Sequence, residues 1–395
     1  MRVPILVLAV VLQSSTGLAY DDRHVFITNR AGANIVELDD EFAFVRTWFG
    51  GEVFDGQPLS APNGMGFTPS GELFVADSGN SRIVAFDGEG GFARVIATDP
   101  RMSNAVESIY FSSEGVLFAS ANPGIGVVAR YTQTGDDLPD VVSGAEFVRL
   151  SNINLTEAGD VVVADFSGFR GVRELDPETG AVLRTFGADL ELHEDVMIDG
   201  ADRVFVTHHT GAEIVVYGPA PEREELYRFR PPESEPTSFA RPTGIALTYD
   251  CHILVSGFES GAIFIFRHEG GSTPPTYLRA LRPGEEIPES AQLGSTESIA
   301  VAGLQLPGGF SEFVDRVPTC DPPPPPPDLG PRLDGGPRDA GAAVVDAFAG
   351  VDAGPVEGDE GGCGCRVASP TRSPSVWWLV GAAGLLARRR RRARS

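Results

Sequence analysis

No lysine occurs anywhere in this chain; all 31 of its basic residues are arginines, set against 55 aspartates and glutamates. That bias is the mark of a GC-rich genome and carries no functional weight. The shortage of positive charge excludes more. Nucleic-acid backbones are bound through clustered cations, yet eight of the arginines fall after residue 365 and one before residue 20, leaving an acidic body between them. Nucleic acid is therefore not expected as a partner. Cysteines number only four and show no Cys-pair zinc spacing. A G-x-S-x-G nucleophile context and a phosphate-binding glycine loop are also missing, and no carboxylate pair stands out as that of a glycosidase. The apolar runs near the two ends, Val3 to Leu12 and Val376 to Ala387, are both short for a membrane-spanning helix.

What the chain does have begins with a secretory signal. Arg2 supplies the charged start, Val3 to Leu12 the apolar stretch, and Gly17, Leu18 and Ala19 the small residues of a cleavage point. Residues 1–19 are expected to be removed, so that the mature chain begins near Tyr20. With 42% hydrophobic residues, the remainder has enough apolar material for a packed core.

Between residues 20 and 320 one pattern recurs: an apolar strand, a turn with Gly or Asp, a second strand ending in a polar residue, and a third strand. The clearest copy runs from Asn63 to Phe67, turns at Pro69 to Gly71, continues as Glu72 to Asp77 and returns as Ser81 to Asp87. The second strands of six such units start at 25, 73, 117, 161, 204 and 253, a period in the forties. This is the size of a β-propeller blade, and helical periodicity is absent.

The first unit has no innermost strand, because His24 to Thr28 and Asn34 to Leu38 already read as its second and third strands. At the other end, Glu297 to Val301 matches Glu107 to Phe111 and has no blade after it. The prediction is an all-β, six-bladed β-propeller over residues 20–320, its first blade completed by the C-terminal strand. Closing the ring in this way reduces unpaired strand edges. The unit from Pro62 through Asp77, Asn80 and Arg82 to Asp87 resembles the NHL-repeat propellers, closely there and loosely in the other units. The resemblance implies the fold and leaves function open, since such propellers serve both as binding platforms and as enzymes.

After Cys320 the composition changes. Pro322 to Pro327 opens a Pro-, Gly-, Ala- and Asp-rich stretch with too little apolar bulk to pack, and residues 321–362 are expected to be a disordered linker. Residues 363–395 contain Cys363 and Cys365, the apolar run with Trp377 and Trp378, and then Arg388 to Arg392 with Arg394. In this order the three parts resemble the myxosortase-dependent sorting tag of myxobacterial surface proteins. The resemblance implies a short transmembrane stop held by its arginines, cleavage near Cys363 or Cys365 by a sorting protease, and lipid anchoring of the remaining cysteine. The expected location is outside the cell, at the cell surface or outer membrane, attached through the C-terminus. An ordinary C-terminal membrane anchor is the alternative. In an exported chain Cys251 and Cys320 are expected to form a disulfide pinning the closing end, the alternative being two free buried thiols.

Propeller ligands meet the channel mouth, where the innermost strands begin. The predicted starts are Asn63, Glu107, Asn152, Asp195, Thr243 and Glu297, with Ser151 and Glu194 as alternatives in the fourth and fifth units. Carboxylates and amides converging on one axis suit Ca²⁺, which takes about six to eight oxygen ligands. Glu297, Asn63, Asn152 and Asp195 are the candidate metal ligands, with Glu107 as a further one. The set is similar to the metal site of the gluconolactonase-type six-bladed propellers, with Pro62, Asn63 and Gly64 as the best local match. A second glutamate at 107 departs from that family's pattern. The competing reading is that these side chains face a hydrated channel. His208 and His209 are neighbours on one strand and point to opposite faces, so a shared metal is not expected. Two functions stand: a surface-anchored ligand-binding or protein-interaction module, preferred because no complete catalytic constellation is visible, and a metal-dependent hydrolase, lactonase-like, or lyase acting at the channel mouth.

Overall fold

The computed structural model describes residues 23–321, apart from residues 69, 89, 99–100, 102–105, 123–125, 145–146, 148, 167–170, 189–192 and 306–314. The signal peptide, the linker beyond Asp321 and the sorting tag with Cys363 and Cys365 lie outside the described residues.

Strand-forming residues dominate the repeat, and the described chain arranges them in six four-stranded antiparallel sheets. The innermost strands of blades 1 to 6 are Thr296–Val301, Pro62–Phe67, Val106–Phe111, Leu150–Leu155, His193–Ile198 and Pro242–Leu247. Each packs against the next and the sixth packs against the first, which makes a closed six-bladed propeller. Blade 1 is completed by the C-terminal strand as the sequence implied, with Val25 opposite Val301 and Ile27 opposite Ile299.

Position within a blade explains the residue types. Second strands such as Val161–Asp165 are sandwiched between neighbouring blades and buried along their whole length, so they read as continuous apolar runs. Each fully buried large apolar side chain contributes about 1.5–3 kcal/mol. Outer strands such as Val182–Phe186 are largely exposed and carry the arginines and threonines that blunt a free edge. The aspartate ending the second strand is structural: Asp77 receives Arg82 Nε at 2.7 Å and the Ser60 amide at 2.7 Å.

The turn from the first to the second strand, on the face opposite the channel mouth, is also repeated. Its left-handed residue is Gly71, Gly115 or Gly159 in blades 2 to 4, but Asp202 and Cys251 in blades 5 and 6. Cys251 is thereby presented on this face, where it bonds to Cys320 with Cα atoms 5.7 Å apart. The segment leading to Cys320 lies across the turns: Gly200 donates its amide to Pro318 O at 3.1 Å, and a Cβ at Gly200 would stand 2.5 Å from Val317 O. Arg203 holds the same segment through Asp321 at 2.8 Å and the Thr319 carbonyl. The first described residues reach the same face, for the Arg23 amide donates to Ala302 O at 2.8 Å. Both described ends of the propeller therefore lie on the face away from the mouth.

Candidate functional site

Every innermost strand shifts register near its start, in blade 2 between Pro62 and Met65 and in blade 5 between His193 and Val196. A β-bulge of this kind re-aims side chains and leaves a backbone amide outside the ladder. In four blades a hydroxyl on the second strand takes that amide: Ser298 N to Thr28 at 2.9 Å, Ser108 N to Ser120 at 3.1 Å, Asp195 N to Thr207 at 2.7 Å and Gly244 N to Ser256 at 2.8 Å.

Strand pairing decides which residues form the rim. The residues paired at the mouth are Thr296, Pro62, Val106, Leu150, His193 and Pro242, so the next position is Glu297, Asn63, Glu107, Ser151, Glu194 and Thr243 in blades 1 to 6. Asn152 and Asp195 thus stand one residue deeper than the rim, and Ser151 and Glu194 take the rim positions. Below it a cavity of about 100 Å³ is lined by Asn152, Asp195, Tyr110 and Met197, and floored by Leu304 and Val317.

The rim is densely bonded. Asn63 Nδ2 donates to Glu107 Oε2 at 2.5 Å, and Asn122 Nδ2 donates to Glu107 Oε1 at 3.3 Å. Arg30 Nη1 donates to Glu297 Oε1 at 3.1 Å. Arg241 Nε donates to His209 Nε2, which places the proton of a neutral ring on Nδ1. That Nδ1 faces Glu194 Oε2 at 3.4 Å without hydrogen-bond alignment. Arg149 stacks over Phe166 at 4.2 Å and Arg241 over Phe258 at 4.6 Å, while Phe166 packs on His209 at 5.4 Å.

Burial dominates the electrostatics. Glu297 is 7% exposed, and burial followed by the Glu194 charge pushes its carboxyl up to about 8. Burial and then Glu194 also raise Glu107. Asp195 is raised well above the carboxylate range by burial, against the opposing effect of amides from Ile245 at 2.9 Å and Val196 at 2.7 Å.

Of the four residues assigned to calcium, Glu297 and Asn63 stand at the rim and Asn152 and Asp195 one residue deeper. Asp195 spends both oxygens on backbone amides, Asn63 is turned to Glu107, and Asn152 Oδ1 accepts the Ser108 hydroxyl at 2.9 Å. Among the described residues no three His, Cys, Asp or Glu side chains converge closely enough to hold a metal ion. The two histidines diverge, His209 to the rim and His208 to Glu213 at 3.2 Å. Sequence reasoning missed Arg30, Asn122 and Phe166 at the rim. Together with His209 and Phe258 they occupy one repeat position, the residue following each second strand, and aligning that position would have found them.

The architecture defines a six-bladed β-propeller with a polar channel mouth. The family model for the NHL repeat matches residues 59–86, within the second blade. No curated protein matches the chain. Similar folds among solved structures include a protein of unknown function from Bacteroides caccae, 12% identical with a TM-score of 0.54, covering 71% of this chain and 99% of that one. A chain of a nidogen/laminin complex is 11% identical with a TM-score of 0.54, covering 71% and 98%. A streptogramin B lyase is 14% identical with a TM-score of 0.50, covering 68% and 83%. At these identities the likeness is one of fold.

Proposed function

We propose that the protein is an exported, surface-anchored binding module that takes its ligand at the channel mouth. The observation that carries this reading is the rim itself. Carboxylates, arginines and a histidine from different blades converge over a cavity floored by Leu304 and Val317, and three buried rim atoms, Asn122 Oδ1, Glu194 Oε2 and His209 Nδ1, have no hydrogen bond. Buried polar atoms left this way are sites for a ligand's own donors and acceptors. Both described ends of the propeller lie on the opposite face, which leaves the mouth clear of the chain entering and leaving the propeller. The test is surface labelling of whole cells. Replacing Cys363 and Cys365 together by Ala should leave export intact and abolish surface retention of the processed form. Unchanged surface labelling with unchanged mass would refute sorting through these cysteines.

One observation favours the second reading, a hydrolase or lyase at the same mouth. Glu194 Oε2, which has no hydrogen bond and faces His209 Nδ1 at 3.4 Å, is a carboxylate placed at the mouth where a proton acceptor would act. No step through a metal follows from the residues present. A turnover that survives His209→Gln would exclude this reading.

A further inference from the structure

Among the described residues, Arg149 is the only arginine whose guanidinium makes neither an ion pair nor a hydrogen bond; each of the others reaches an acidic side chain or another oxygen. In a chain with 55 acidic residues against 31 basic ones, partners are not in short supply. Glu107 feels the Arg149 charge, yet its oxygens accept Asn63 Nδ2 at 2.5 Å and Asn122 Nδ2 at 3.3 Å.

The position is built by the repeat. Arg149 is exposed and immediately precedes the inner strand Leu150–Leu155 of blade 4. Its carbonyl accepts the Phe166 amide at 2.7 Å, and its guanidinium lies over the Phe166 ring at 4.2 Å. Phe166 is braced in turn by His209, with ring centroids 5.4 Å apart. Blade 6 repeats the unit: the Arg241 carbonyl accepts the Phe258 amide at 3.0 Å and its guanidinium lies over Phe258 at 4.6 Å. There the guanidinium is spent, Nε on His209 and Nη1 on Glu259 at 3.5 Å. One local device thus gives a committed arginine in blade 6 and an uncommitted one in blade 4. Building on the reading of the mouth as the binding site, we propose that Arg149 anchors a carboxylate of the ligand.

Geometry and charge select this group. The planar guanidinium offers paired N–H donors that match the two oxygens of a carboxylate, and stacking on Phe166 holds its plane, so little side-chain freedom is lost on binding. A phosphate monoester fits the same fork but carries a charge of about −1.5 to −2, and the Glu194 charge that already raises Glu107 opposes the more highly charged anion more strongly. The carboxylate belongs to a polypeptide or to a small organic acid, and the recognising chemistry is the same for both.

The test is calorimetric titration of the purified protein, at matched ionic strength, with butyrate, butyramide, inorganic phosphate, and acetyl-trialanine bearing a free or an amidated C-terminus. Each acid should bind about tenfold more tightly than its amide. Arg149→Met keeps a stem that lies on Phe166, so it should melt like wild type while losing the preference for the acid. Arg149→Lys keeps the charge without the fork and should retain only part of it. Glu107→Gln removes a neighbouring negative charge and should tighten butyrate, a sign that a merely structural role for Arg149 would not produce. A peptide acid bound more tightly than butyrate supports the proposal with a polypeptide as the source, and the reverse supports it with a small organic acid. Equal binding of acid and amide, no binding of either, or phosphate bound more tightly than butyrate would overturn the proposal. An acid preference that survives Arg149→Met but is lost in Arg30→Met or Arg241→Met would overturn the assignment to Arg149 and leave the mouth as the binding site. A preference that survives all three variants would place the site elsewhere and remove the mouth reading as well.

Discussion

At the mouth of the channel, three buried polar atoms lack hydrogen bonds and three glutamates stand near one another. At the floor, Arg203 spends Nε on Asp199 at 2.6 Å, Nη1 on Asp321 and Gly271 O, and Nη2 on Thr319 O, beside a disulfide. Both ends are made from the same repeat. The floor is over-determined, which suits a segment that finishes the ring and continues into the C-terminal part of the chain. Polar capacity at the mouth is left in reserve at a cost in stability, and such places are where binding is found. The proposed binding end and the cohesive end are thus separated by the length of one inner strand.

The contrast breaks most visibly at the floor. Cys251→Ser with Cys320→Ser removes a cross-link between residues 69 apart in sequence, and the chain-entropy relation gives a loss of about 4 kcal/mol. Urea unfolding of the oxidised wild type and the double variant measures it. A loss below about 1 kcal/mol would show that Arg203 and the packing of Val317 suffice.

A smaller effect of opposite sign is expected at the mouth. The Glu297 carboxyl sits near 8 in the folded protein against 4.5 ordinarily, so between those values the folded state holds a proton that the unfolded state has released. Stability attached to this group is therefore full below about pH 4.5 and falls as pH rises toward 8. Glu107 and Asp195 act in the same direction. Glu297→Gln should match wild type at pH 5 and exceed it by about 1–3 kcal/mol at pH 9, as read from urea midpoints. A variant less stable than wild type at pH 9 would show that the Arg30 pair outweighs the burial.

The smallest effect concerns the bulges that build the rim. Thr207→Ala deprives the Asp195 amide of its acceptor and should cost about 1 kcal/mol. Ala76 and Ala164 already occupy the equivalent position in blades 2 and 4, so the fold tolerates the loss. Thermal unfolding of Thr207→Ala beside Ala76→Ser, which should gain a few tenths of a kcal/mol, sharpens the comparison.

The blade count, the completion of blade 1 by Glu297 to Val301 and the pairing of Cys251 with Cys320 were legible in the sequence. They rest on the spacing of apolar strands and turn residues, and each blade repeats those signals locally. The rim was legible only in part. A bulge places two residues of the inner strand against one of its neighbour, so counting along the chain cannot say whether Asn152 or Ser151, Asp195 or Glu194, stands at the mouth. Strand pairing decides it. Arg30, Arg149, Arg241 and His209 belong to loops, and they become neighbours of the three glutamates only when closure of the ring brings six separate blades to one axis. The floor has the same origin, because Val317 and Arg203 are distant in sequence and meet only where the closing segment crosses the turns of blades 5 and 6.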